Sequence, residues 1–198
     1  MQRRLKSWWG VGVTAFALVA CGTGEGRPDG SVQVTEVKSE FRTQSGVYVA
    51  CNTVTQASGA VSTQTGFSVS FSTTDAVKTA TVALKGQPTS QYDAFYVQTA
   101  TPSQLSVGAD HTYRLLLSAN ATSAVYLSQP SHVQTLTVRP PSQVLKVKVV
   151  RATNRQAFSF YPQVTVSSAG TSESDRSALA FPVYDTCTVL PTAISDKL

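Results

Sequence analysis

Gly66-Phe67-Ser68-Val69-Ser70-Phe71-Ser72 is the stretch that decides the fold. Apolar residues alternate with serine over its length. Side chains of an extended chain point alternately to opposite faces, so this segment has one apolar face and one hydroxyl face. A helix would scatter the same residues around its circumference. The stretch therefore reads as a strand lying on a core with its other side toward water.

The same period recurs along the chain. Tyr113, Leu115 and Leu117 alternate with Thr112, Arg114 and Leu116; Leu145, Val147 and Val149 alternate with Lys146 and Lys148; Val164 and Val166 flank Thr165. Further strands are expected at 32–41, 46–53, 77–85, 92–99, 124–128, 133–139 and 179–190. Gly86-Gln87-Pro88, Gly108-Ala109-Asp110, Pro140-Pro141 and Gly170 separate them. The one helical signal is Thr101-Pro102, an N-cap followed by proline at the first helical position. Many short strands with close turn signals predict an all-β protein, an antiparallel β-sandwich that is immunoglobulin-like or related, of about ten strands. Trp8 and Trp9 both lie near the N-terminus, so the Cys…Trp…Cys hallmark of true immunoglobulin domains is missing. The sandwich is expected over 32–191 with a tail at 192–198. Pro140-Pro141 leaves two closely packed modules as the alternative.

Residues 1–20 have a different texture. Arg3, Arg4 and Lys6 form a positive segment without acid, and an apolar run follows from Trp8 to Ala20. That run is too short to span a bilayer comfortably and reads as an export signal. Its end, Leu18-Val19-Ala20-Cys21, resembles the lipobox of bacterial lipoproteins. The resemblance is confined to the first 21 residues. It implies that residues 1–20 are a signal peptide, that the Cys21 sulfur carries a diacylglyceryl group, and that Cys21 becomes the first residue of the mature chain. Palmitate-like acyl chains at Cys21 would then be the membrane anchor, in the bacterial cell envelope. Gly22 stands where an Asp would favour plasma-membrane retention, which favours the outer membrane. The alternative is an ordinary signal cut at a small-x-small site such as Ala15-Phe16-Ala17. Residues 21–31 hold several glycines and Pro28, the composition of a flexible tether.

With Cys21 assigned to lipid, Cys51 and Cys187 remain as an even pair. A disulfide is the expectation in an exported chain, with two buried free thiols as the alternative. Val47, Val49 and Cys51 share a face of one alternating strand, and Cys187 is in phase with Val189. Two cysteines pointing into a core can pair if their strands face each other. No C-x-x-C redox motif is present.

The net charge of +5 also depends on the signal, because losing Arg3, Arg4 and Lys6 lowers it to +2. The remaining charge is uneven. Residues 111–172 contain Arg114, Arg139, Lys146, Lys148, Arg151 and Arg155 and no acid. Arg139, Lys146, Lys148, Arg151 and Arg155 form a candidate basic patch for an anionic envelope polymer or an envelope protein. Solvated lysines that protect an edge strand are the competing explanation. Nucleic acid is not an expected partner, since no aromatic stacking motif accompanies the basic residues.

Catalytic signals are sparse. His111 and His132 stand alone, outside any H-x-x-H or H-E-x-x-H arrangement. Glu173 and Asp175 lack the repeat of a calcium loop. No catalytic residue, cofactor or metal is assigned. The expected role is a non-catalytic binding or structural module held at the membrane, with an envelope-polymer-acting enzyme using His111 or His132 as the alternative.

Overall fold

The computed structural model describes residues 31–87, 92–120, 135–153, 156–191 and 197–198. The expected signal segment, Cys21, most of the expected tether, His132, Arg155, the strand expected at 124–128 and most of the expected tail lie outside the described residues. In chain order the strands are β1 (Gln33–Ser39), β2 (Phe41–Thr43), β3 (Ala50–Thr55), β4 (Val61–Ser62) and β5 (Gln64–Ser72). Then come β6 (Thr79–Gln87), β7 (Tyr92–Ala100), β8 (Ser106–Val107), β9 (Thr112–Asn120) and β10 (Thr135–Val138). The last are β11 (Lys148–Ala152), β12 (Gln156–Ser167), β13 (Ser172–Arg176) and β14 (Phe181–Val189). The helical signal at Thr101-Pro102 is realised as a single 3-10 turn, Pro102–Gln104, where the Gln104 side chain accepts from the Thr101 N–H at 2.9 Å.

The strands form two sheets that pack together as a sandwich. One runs β1-β5-β9-β10, with β8 also on β9; the other runs β2-β11-β14-β12-β6-β7, with β13 on β12, β3 on β14 and β4 on β3. The expected antiparallel pairing dominates, but β2 pairs β11 in parallel and β14 pairs β3 in parallel. Alternation within a strand carries no information about the direction of its neighbour, so the sequence could not show this. Strands from either side of Pro140-Pro141 interleave in the second sheet.

The main core lies between the sheets. Phe67, Val69, Phe71, Leu115 and Leu117 face Val82, Leu84, Phe160, Val164 and Phe181. Phe67 meets Phe160 and Phe181 edge-on, each at 5.6 Å between ring centroids. A smaller core gathers Phe41, Val49, Cys51, Val54, Val150 and Cys187. Cys51 and Cys187 are disulfide-bonded there, with Cα atoms 5.9 Å apart. Their strands do not face each other across the sandwich. They are parallel neighbours in one sheet, Cys51 opposite Tyr184 and Cys187 opposite Val54. Val47 also departs from expectation: the turn in which Thr43 N donates to Val47 O, with Gly46 at φ 90, leaves it 50% exposed.

A third layer covers the outer face of the first sheet. The regular strand expected from Leu145 begins only at Lys148. Leu145 and Val147 instead pack with Leu116 and Leu198. This explains Leu116, the apolar residue at an outward position. The crossover 139–147 runs over it as a strap, and Leu198 N donates to Leu145 O at 2.8 Å. Gly66 allows the close approach: a Cβ there would lie 2.7 Å from Leu145 Cδ1 and 3.2 Å from Glu40 Oε1.

Candidate functional site

The chain enters the sandwich at a fixed point. The Ser31 hydroxyl lies 3.0 Å from Asp75 Oδ2 and 2.8 Å from Glu173 Oε2, and the Ser31 N–H also donates to Glu173. Val34 N donates to Asp175 Oδ2 at 2.8 Å. Glu173 and Asp175 are two apart on β13, so they project to the same side, while Ser172 and Ser174 point away. β1 is an edge strand of one sheet and β13 lies at the margin of the other. The two carboxylates thus close the corner between the sheets and satisfy an edge N–H that would otherwise invite another strand. Among the described residues, no group of three His, Cys, Asp or Glu side chains is placed to hold a metal ion. The sequence concealed this latch because Ser172–Arg176 is polar on both faces.

The ladders define the ends of the molecule. Gln33, Ser72 and Thr112 lie together at the entry end, whereas Gln64 and Asn120 meet at the opposite end. In the second sheet Thr79, Ser167 and Ser172 belong to the entry end, and Gln87 lies near Ser159 at the other. Asp75, Asp110, Glu173 and Asp175 therefore lie toward the entry end, with Lys78, Arg114 and Arg176 among them. Arg42, Lys85, Lys148 and Arg151 lie toward the opposite end, with Glu40 and Asp185 among them.

The expected basic patch separates into different environments. The Lys148 ammonium is 3.7 Å from Glu40 Oε2 and sits over the Phe41 ring. Arg139 turns onto the sheet, where Nη2 donates to Ser118 Oγ at 3.0 Å and Nε is buried without an acceptor. Lys146 is exposed and bridges to Lys197 through an isolated antiparallel pair. Arg151 is exposed on β11, opposite Thr188. The acid-free segment is thus not acid-free in space, since Glu40 comes from a distant part of the chain.

His111 is exposed in the turn between β8 and β9, at φ 56 beside Asp110 at φ 53, and its carbonyl accepts from Thr73 N. It lines neither of two concavities on the surface. One is a groove of about 540 Å³ between β1, the 46–48 turn and residues 177–182. Its apolar lips are Val47 and Leu179, the latter 80% exposed. The other, of about 260 Å³, lies on the first sheet and is lined by Ser70, Ser106, Val107, Thr112 and Arg114 among others. The Gly108-Ala109-Asp110 turn was legible in the sequence, but the pairing that sets Arg114 beside Ser70 was not. No protein-family model matches the chain, and neither curated proteins nor solved structures give a match.

Proposed function

We propose that the protein is a lipid-anchored module of the bacterial cell envelope, binding or structural rather than catalytic. The observation that carries this reading is the Cys51–Cys187 disulfide. Of three cysteines it leaves one, Cys21, which stands at the lipobox position. A buried structural disulfide suits an oxidising compartment outside the cytoplasm. In this reading residues 1–20 are the signal peptide and the acyl chains on Cys21 hold the protein in the membrane, the outer membrane being favoured. Stable anchoring takes more than one acyl chain, as a diacylglyceryl cysteine provides.

The entry latch gives this arrangement a direction. A tether from Cys21 reaches the sandwich at Ser31, between Asp75 and Glu173. The more basic opposite end then points away from the anchor. Anionic envelope polymers or an envelope protein are the partners that such a surface suits. The test is a Cys21→Ala variant. It should lose incorporation of labelled fatty acid and move from the membrane to the soluble fraction. Unchanged labelling and fractionation would refute the anchor.

A further inference from the structure

The outer face of the first sheet carries a row of side chains set by register. Ser106 on β8 and Ser70 on β5 both lie opposite Arg114 on β9, and Glu36 on β1 lies opposite Ser70. Directly opposed residues project from the same face. Tyr113 and Leu115, on either side of Arg114, belong to the main core, so the row points outward. Arg114 is half-buried in the 260 Å³ concavity and, among the described residues, has no ion-pair partner. The carboxylate in its row is engaged elsewhere, since Glu36 Oε1 lies 2.6 Å from Lys38 Nζ.

A second arginine lies on the same face, but its guanidinium reaches toward Ser118 and away from Arg114. Arg139 N donates to Leu116 O at 2.8 Å, which continues the β9–β10 register and sets Arg139 opposite Leu116, diagonal to Arg114 on the same face. Its only described side-chain acceptor is the neutral Ser118 hydroxyl. Two arginines therefore share this face with hydroxyls. Asp110 lies on the adjacent turn but makes no ion pair with either. A guanidinium removed from water without a counter-charge is costly, and its planar fork matches a carboxylate or phosphate.

The rest of the lining specifies what carries that anion. Ser70 can exchange hydrogen bonds with ring hydroxyls, and Ser106 and Thr112, whose own hydroxyl protons point to Pro141 O and Ala109 O, can accept from them. The cavity is smaller than the usual site for a drug-sized ligand and suits a single ring. We infer that Arg114, with Ser70 and Ser106, binds an acidic sugar, the guanidinium taking its carboxylate or phosphate. This deepens the binding-module reading but does not depend on the lipid anchor.

Calorimetric titration of the full-length chain in detergent tests it, with glucuronate, glucose 1-phosphate, glucose and inorganic phosphate as probes. At least one acidic sugar should bind, more weakly as salt is raised, and more tightly than glucose or inorganic phosphate. Arg114→Gln should weaken that binding by about tenfold, as expected for a charge-assisted pair. Ser106→Ala should weaken it less, and Lys78→Gln should leave it unchanged, with all three variants melting as the parent does. Binding of neither acidic sugar, or binding that survives Arg114→Gln, would overturn the site. Equal binding of inorganic phosphate would overturn the sugar and leave an adventitious ion only. Fractionation of Cys21→Ala reads the anchor separately.

Discussion

At the scale of single residues, two positions concentrate the physics. Cys51 and Cys187 are separated by 136 residues, and closing so long a loop restricts the unfolded chain strongly. The chain-entropy model puts the bond at about 5 kcal/mol. Cys187→Ala is expected to lower unfolding free energy by roughly 2–5 kcal/mol in guanidinium titration, and dithiothreitol should lower the parent's by a similar amount. Gly66 is the second position. Its Cβ would press on buried Leu145 and on Glu40, whose carboxylate accepts from Gly66 N at 2.7 Å. Gly66→Ala should destabilise by about 1–2 kcal/mol, the range of mild overpacking. In a Leu145→Ala background, itself destabilised, the Gly66→Ala change should cost less, since the contact is gone; strict additivity of the two changes would contradict the strap geometry.

At the scale of elements, legibility follows burial. β5 and β9 have one face in a core, so their apolar residues alternate and both could be read directly. β4 and β8 are two residues long and β13 is polar throughout, so none leaves an apolar period. Leu116 did leave a signal, an apolar side chain out of phase, but only the strap makes sense of it. The candidate site divides in the same way. Cysteine parity pointed to Cys51 and Cys187, because counting needs no geometry. The partners of Lys148 and Arg139 depend on which strands become neighbours, and Glu40 reaches Lys148 across more than half the chain. The aromatic contacts of β5 should matter most to the sandwich. Phe67 is 2% exposed, and Phe67→Ala is expected to cost about 3–5 kcal/mol, measured by chemical denaturation.

At the scale of the whole molecule, the latch at Ser31 separates local from global stability. Glu173 contacts the beginning of the described chain, and the main core does not depend on it. Glu173→Ala should therefore speed amide exchange across residues 31–34 while lowering global stability by less than about 1 kcal/mol. Exchange unchanged at those residues would show that the entry point is held by other means.

The placement of β14 has a consequence in time. It is the last strand among the described residues, yet it lies inside the nine-stranded sheet, with β3 along one side and β12 and β11 along the other. A ribosome delivers residues in order. Until β14 emerges, β3 has only the two-residue β4 beside it, and Cys51 waits as a free thiol. Pairing between such distant segments is slow to form and leaves strand edges open meanwhile. Completion of the larger sheet, and closure of the Cys51–Cys187 bond with it, therefore waits on the last of the described strands.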